Sequence, residues 1–517
     1  MNPVAIDRRR IFQLADSPLQ VLTCVFYTTA FTCQDDTGER VHQVSVKGAQ
    51  VFYQGKYNRK RPPEWTGRRS RREVPMVEVH PRPIVRVLEE LGRTLQVLAQ
   101  RQVDAPLAVL EVGVLEAVRA VQAELLGAVL RLSQRSLWPS GAARQWPCPH
   151  CGARHGVQSW RPRTVTTVCG QLTFERPWCV CPAVGRGFSP TDQALALAGQ
   201  TRLSAEVVEW LGEGGARTSF AEAAALLERW TGLVVSPETV RQRTEASGAG
   251  LETAHAAAAR QVHQTREAAA PVDPAPGKLV VEADGAMVHY RDAWHEMKIG
   301  LVGGHVAGKL VGASYIAQRA GPEQFGPRLL AEAARRGALE VVDWAGSPLQ
   351  PRLAVLREVV VLGDGAPWIW HLAADHFGQR VEIVDFYHAC EHLWAVAKAL
   401  YGDTAAATAW ATARVDELRE HGVAPVQAAL AAAQAPTPEA QDVLRRERGY
   451  FRTNADRMAY PTFRAAGLPI GSGAVESSAR HLVQQRLKRS GARWSDAGAQ
   501  CVMNVRCKLE SAQPKAA

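Results

Sequence analysis

Lys278-Leu-Val-Val-Glu-Ala-Asp284-Gly285 is an apolar run closed by an acid and a glycine, and Val359-Val-Val-Leu-Gly-Asp364-Gly365 repeats that design downstream. Around the first run, residues 278–290, 294–302 and 309–316 read as three successive strands, followed by a helix near 322–336. The second run, 359–362, and a third, 381–384, read as short buried strands, each followed by a helical pattern. Three consecutive strands and then alternating strand and helix predict a mixed α/β sheet. Residues 403–466 are Ala-rich and helical, broken at Pro425 and at Pro436-Thr-Pro438. A third acid, Glu476, follows in Pro469-Ile-Gly-Ser-Gly-Ala-Val-Glu-Ser-Ser478, where a glycine-rich turn opens a helix running to about residue 489.

Each acid alone reads equally as a turn or cap residue. Their joint order carries more: strand-Asp-Gly, strand-Asp-Gly, helical insertion, Glu-bearing helix. Ligands in α/β sheets gather at strand ends, and glycine after each Asp lets the backbone turn closely around one. Three converging carboxylates repel one another unless cations lie between them, and hard oxygen donors suit Mg²⁺ or Mn²⁺. Two such ions about 4 Å apart serve in-line phosphodiester displacement.

From about residue 278 to 510 the sequence resembles the DDE transposases of bacterial insertion sequences of the Kra group. The resemblance rests on Val281-Glu-Ala-Asp284-Gly, Gly363-Asp364-Gly-Ala-Pro-Trp-Ile-Trp370, Asp385-Phe-Tyr-His388, Leu468-Pro-Ile-Gly-Ser-Gly-Ala-Val-Glu476-Ser and Arg486-Leu-Lys-Arg-Ser-Gly-Ala-Arg-Trp494. It implies a ribonuclease-H-like core in which Asp284, Asp364 and Glu476 are the catalytic triad and hold Mg²⁺ or Mn²⁺. It also implies an all-helical insertion between Asp364 and Glu476. Asp385 and His388 match a D-x-x-H signature; with His392 they are read as supporting the site. The implied activity is binding of element ends, phosphodiester hydrolysis and strand transfer on double-stranded DNA, at terminal inverted repeats and target, by a homo-oligomer. The alternatives are a domesticated DNA-binding protein that no longer cuts, or another ribonuclease-H-like nuclease such as a resolvase.

Upstream, Cys148-Pro-His-Cys151 and Cys179-Val-Cys181 outline a zinc ribbon. In the resembling family the second knuckle is C-x-x-C, and here Val184 stands where its last cysteine would be. Cys179 then substitutes, or Cys169, His150 or His155 completes the shell, or the ribbon persists without zinc. Residues 219–230, a turn, and 236–243 read as helix-turn-helix, with Ser236 as cap, Pro237 first and Arg241, Gln242 and Arg243 aimed at DNA; a plain helical hairpin is the alternative. Arg480, Arg486, Lys488, Arg489, Arg493 and Trp494 flank Glu476 as further DNA contacts. Two amphipathic stripes, one from Ile84 to Leu98 and one from Leu107 to Leu132, predict a helical pair.

The expected organisation is an irregular N-terminal region with a basic arm over 1–80, helices over 81–140, a zinc-ribbon-like module over 141–200 and a helix-turn-helix-like region over 201–253. A linker over 254–277 leads to the core over 278–402, which an insertion over 403–467 separates from its completion and the tail over 468–517. The arm at 56–72 holds eight Lys/Arg against Glu64. With 517 residues, 46% hydrophobic and 22% charged, the chain is neither a mini-protein nor globally disordered. Ten cysteines are too sparse for a disulfide scaffold, and five of them cluster between Cys148 and Cys181, which indicates metal in a reducing cytoplasm. No run reaches the length of a membrane span. A formal charge of +10 favours a polyanionic partner.

Overall fold

The computed structural model describes residues 30–34, 40–46, 49–53, 82–137, 145–197, 202–265, 274–342 and 353–511. The chain divides into two units, Met1–Met76 and Val77–Ala517. In the first, β1 (Ala30–Gln34), β2 (Arg40–Val46) and β3 (Ala49–Tyr53) form an antiparallel meander. The basic arm at 56–72 lies outside the described residues.

In the second unit the predicted helical pair forms as Arg82–Arg101 and Leu107–Leu137, with Leu98 packed against Gly113. The second helix is buried at Ala117, Val121, Ala128 and Leu130, whereas Leu107, Val114 and Val129 of its expected stripe are exposed. Leu130 packs on Val165, Leu172 and Phe174 of the following β module. That module comprises the pair β4 (Gln145–Pro147) and β5 (Arg154–Gly156), and the antiparallel sheet β6 (Ser159–Thr167), β7 (Gly170–Cys181) and β8 (Arg186–Phe188).

Helices Ala205–Arg217, Phe220–Thr231 and Pro237–Thr265 come next, each started by a serine. Ser204, Ser219 and Ser236 Oγ accept the N–H groups of Val207, Glu222 and Thr239 at 3.3, 3.2 and 3.1 Å. The expected linker from residue 254 is corrected: the third helix continues to Thr265. Its alanine-rich tail is a helical face, not a spacer, with Ala259 and Val262 buried.

The central sheet has the order β11-β10-β9-β14-β15, formed by β9 (Lys278–His289), β10 (Trp294–Val306), β11 (Lys309–Gln318), β14 (Val359–Gly363) and β15 (Arg380–Val384). β9 to β11 are antiparallel, while β14 runs parallel to β9 and β15 parallel to β14. Parallel pairs need crossovers, and helices Pro322–Arg335 and Pro367–His376 lie on them. β12 (Leu339–Val342) and β13 (Leu353–Leu356) form a separate antiparallel pair.

One core cluster joins β9, β14 and β15 to those helices, to Phe386–Tyr401 and to the helices that follow. Ala405–His421, Val423–Ala432, Pro438–Thr453 and Tyr460–Ala465 make the predicted region all-helical. A second cluster packs Ala286, Val288, Met297, Ile299 and Leu301 under Val475, Leu482, Leu487, Trp494 and Met503. The single helix expected after Glu476 is instead broken by a π-helical stretch, Ala479–Gln484, between Gly473–Ser478 and Gln485–Leu487; Asp496–Glu510 is the final helix. Among the described residues no helix is long and apolar enough to cross a membrane.

Helix Pro237–Thr265 crosses the final helix at Gly248, where an added Cβ would collide with the Cys501 carbonyl and Asn504 Nδ2 donates to the Gly248 carbonyl at 3.1 Å. Gly248→Ala should therefore destabilise the protein by about 1–3 kcal/mol despite alanine's better helix propensity, read as a lower denaturation midpoint. An unchanged midpoint would show that the crossing is slack.

Candidate active site and metal centre

The two Asp-Gly elements are built differently. Asp364 directly follows β14, where the chain turns into helix Pro367–His376, and its Oδ1 accepts the Ala366 N–H at 2.8 Å. Gly365 takes φ +103°, with the Tyr450 ring where a Cβ would lie, so glycine is required there. Asp284 lies inside β9, opposite Ile299, and its expected position at a strand end is corrected. Ala286, Val288 and Tyr290 extend the buried alternation beyond it. Gly285 does not turn the chain; a Cβ there would strike the Glu296 carboxyl of β10.

Glu476 stands on the first turn of helix Gly473–Ser478, and buried carboxyls receive two N–H groups at the start of that helix. Asp385 Oδ2 accepts from Ser472 N, and Glu282 Oε2 accepts from Val475 N at 2.9 Å. Asp385 is fully buried and also caps helix Phe386–Tyr401, its Oδ1 accepting the His388 N–H at 2.6 Å. Its own N–H donates to the Gly363 carbonyl at 2.8 Å. Asp385 therefore ties the end of β14 to the loop that carries Glu476. Glu282 escaped the sequence reading, although the strand period places it on the face of Asp284.

Burial, reinforced by the charges of Asp364 and Glu476, pushes the Asp284 carboxyl up to about 6. Burial likewise pushes Glu282 up to about 8, with Asp385 and Glu476 adding to it. Desolvation and the neighbouring Asp385 and Glu391 raise Glu476, and His388 opposes them. Asp284 and Asp364 each lie two residues beyond the paired Glu282 and Leu362 of β9 and β14, and Glu282 holds the residue before Glu476, so three separated chain segments meet there. The three acids are not drawn into a closed cage: among the described residues the single group of three or more ligand-type side chains within 4.8 Å of one another lies elsewhere. An all-oxygen donor set whose members repel suits a divalent ion such as Mg²⁺ or Mn²⁺, which would relieve that repulsion.

Helix Pro438–Thr453 reaches this site through Tyr450. Tyr450, on helix Pro438–Thr453, donates its hydroxyl to the Asp364 carbonyl at 3.0 Å and stacks on His392 at 3.7 Å between ring centroids. His392 Nδ1 lies 2.5 Å from Glu447 Oε2, and Arg446 holds the other Glu447 oxygen at 2.7 Å. Burial raises the Glu447 carboxyl, but those two partners outweigh it and leave it below the usual range. His388 sits edge-on to His392 and 3.4 Å from Glu391. Nothing in the Ala-rich sequence pattern singles out Glu447 or Tyr450.

The ligand-type group is Cys148, Cys151, His155 and Cys181. Cys151 Sγ lies 3.5 Å from Cys181 Sγ and 3.3 Å from His155 Nε2. Tetrahedral Zn²⁺ with Zn–S near 2.3 Å sets sulfur atoms about 3.8 Å apart, so the donors fit a structural zinc. Gly152, at φ +74°, lets the Cys148–Cys151 turn close, and the His150 N–H donates to Cys148 Sγ at 3.4 Å. Burial raises the Cys148 thiol, but that bond and its neighbours pull it below its ordinary value. Cys179 is corrected as a ligand: it lies two residues before Cys181 on β7, paired with Phe188 and outside the group of mutually close donors, and His155 from β5 takes its place. Val184 is exposed.

The proposed DNA contacts separate into free and committed side chains. Arg480, Lys488 and Arg493 are exposed. Arg486 is buried between the Phe220 and Trp494 rings, 4.8 Å from each centroid, and donates to the Gly215 carbonyl at 3.0 Å; burial lowers it to about 10. Trp494 is buried, with Nε1 on the Leu487 carbonyl at 3.0 Å, and Arg489 bridges Thr218 and Glu222. For Arg486 and Trp494 the DNA-contact expectation is therefore corrected to packing. Arg241 is held by Glu238 and Glu245, and Gln242 also bonds Glu238, so the helix-turn-helix face is internally paired; Arg243 is half-buried.

Residues 106–307 match a family described as Uncharacterised protein family (UPF0236). The matched stretch contains the cysteine–histidine cluster and Asp284 but neither Asp364 nor Glu476. No curated protein matches the chain.

Purified protein should carry about one equivalent of zinc by elemental mass spectrometry. His155→Ala and Cys181→Ala should each lower that content, whereas Cys179→Ala should keep it. Zinc lost from Cys179→Ala but retained by His155→Ala would overturn the ligand set.

Proposed function

We propose that the chain is a DNA transposase of the DDE type, with a ribonuclease-H-like core, acting at the ends of its own element as at least a dimer. The observation that carries this reading is geometric: Asp284 and Asp364 each follow by two residues the paired Glu282 and Leu362 of the parallel neighbours β9 and β14, and Glu282 holds Val475, the residue before Glu476, at the start of helix Gly473–Ser478. The ribonuclease-H-like assignment draws support from the order β11-β10-β9-β14-β15 and from the helical segment between the second and third acids.

In this reading the three acids hold two Mg²⁺ or Mn²⁺ ions, which supply nucleophile activation and stabilisation of the leaving oxygen. The chain's own residues position. Asp385 and Glu282 fix the turn that carries Glu476, Gly365 and Tyr450 fix the turn that carries Asp364, and His388 tempers the charge beside Glu476. Arg480, Lys488 and Arg493, exposed on the segment that follows Glu476, are cations available to backbone phosphates. The cysteine–histidine module would hold Zn²⁺ as a structural ion and present a basic surface.

A strand-transfer assay with Mg²⁺, using the DNA that flanks the gene as donor ends, tests the reading. Asp284→Asn, Asp364→Ala and Glu476→Ala should each lower product by at least about a hundredfold, with DNA binding retained. Equal product from wild type and all three variants would remove the catalytic assignment.

A further inference from the structure

The β6–β7 sheet holds an arrangement that its own charges do not favour. Arg161 and Arg176 are direct cross-strand partners, and Arg163 lies two residues along on the same face. Like charges opposite one another weaken a ladder. Among the described residues the carboxylate that answers them is Asp192, on helix Pro190–Ala194, which accepts from Arg163 Nη1 at 2.7 Å and from Arg176 Nη1 through the same oxygen. Arg163 is buried, and the Arg176 Nε is buried with no hydrogen-bond partner among the described residues. Arg161 and Arg176 also sit over the Trp178 ring, 4.6 and 5.1 Å from its centroid. Burial and then the charges of Arg163 and Arg161 work against a protonated Arg176. Two largely buried guanidiniums against one carboxylate, with the exposed Arg161 beside them, leave a local excess of positive charge in a partly desolvated place, which costs free energy unless an anion joins it.

Beside this group opens a cavity of about 970 Å³, walled by Arg163, Arg176, Trp178 and Asp192 and reaching Arg202 and His150. We propose that it is a phosphate-binding subsite whose occupant is a phosphodiester of a nucleic-acid strand. Guanidinium groups match phosphate oxygens in a bidentate way, and a phosphate supplies both the missing charge and an acceptor for a buried donor. The cavity is larger than one phosphate requires, and Arg202 adds a further cation to its wall. His150 lies in the turn between Cys148 and Cys151, so the cysteine–histidine cluster shapes one wall. The identity of the strand as DNA rests on the function proposed above; the anion subsite itself does not.

Fluorescence anisotropy of a labelled random-sequence duplex with the full-length protein, without divalent metal and over a series of salt concentrations, tests this. Arg161→Gln, an exposed position, and Arg176→Gln should each weaken binding about threefold to tenfold and lower the slope of log K against log salt by about 0.9. Asp192→Asn should tighten binding, a gain that a purely structural role does not produce. Zinc content and melting temperature, read in parallel, identify any variant that has lost its fold, and Arg161→Gln then decides alone. Unchanged affinity and slope in folded Arg161→Gln and Arg176→Gln would overturn the subsite. Orthophosphate binding that Arg176→Gln abolishes, with duplex binding untouched, would mark a small-anion site and overturn the nucleic-acid occupant. Duplex binding that depends on these arginines in a chain that never transfers a strand would uphold this proposal and remove the catalytic one. No duplex binding by wild type would end both.

Discussion

The buried carboxyl of Asp385 is the constraint on which the carboxylate site depends. One oxygen accepts the His388 N–H and starts helix Phe386–Tyr401; the other accepts the Ser472 N–H and fixes the loop before Glu476. Its backbone N–H closes onto Gly363, the residue before Asp364. Taking a carboxylate out of water costs several kcal/mol, and here it is offset by short N–H donors at two helix N-termini, where the helix dipoles also favour negative charge. The arrangement is all or nothing, because removing the side chain strands two buried N–H groups. Glu282 repeats the device from β9 onto Val475, so the turn of Glu476 is clamped both from β9 and from the cap that follows β15.

That clamp explains which parts of the site were legible in the sequence. Asp364-Gly365 reads correctly because a strand really ends there, and a positive φ leaves a visible glycine. Asp284-Gly285 has the same letters and a different cause: the glycine clears Glu296 across the ladder while the strand runs on. A dipeptide encodes a need for space but not its origin. The strands of the central sheet, the helical insertion and the Ser236 cap are local signals and came through. His155 for Cys179 is a tertiary choice: both residues have the right chemistry, and only the pairing of β4 with β5 brings the histidine to the two knuckles. The linker misreading arose because alanine supports a helix or a featureless chain equally well, until Ala259 and Val262 find a neighbour to pack on.

Net charge divides in the same way. The +10 suggests a polyanion, but Arg486 and Arg506 are consumed inside the fold. Arg486 lies between two aromatic rings and donates to Gly215, while Arg506 donates to the carbonyls of Leu482 and Ala216 at 2.7 and 2.8 Å. The carbonyl of Leu482 belongs to the π-helical stretch, where the regular i to i−4 ladder is disturbed, so an arginine supplies what the helix cannot. These cations hold helices Ala205–Arg217 and Asp496–Glu510 against the Glu476 segment. The basic residues free to meet phosphate are those with no such employment.

The helical segment between the second and third acids poses the converse problem, of how a long excursion stays in register with a small site. Its link is a chain of unlike contacts: Glu447 holds His392, His392 stacks on Tyr450, and Tyr450 covers Gly365 and bonds the Asp364 carbonyl. Glu447 and Tyr450 are three residues apart on one helix, so they share a face and act as one unit. His392 lies on the helix that Asp385 starts. The excursion is thereby referenced to the same buried carboxyl as the Glu476 loop, while Arg457 and Tyr460, just after helix Pro438–Thr453, tie it to Glu382 and the Val384 carbonyl of β15.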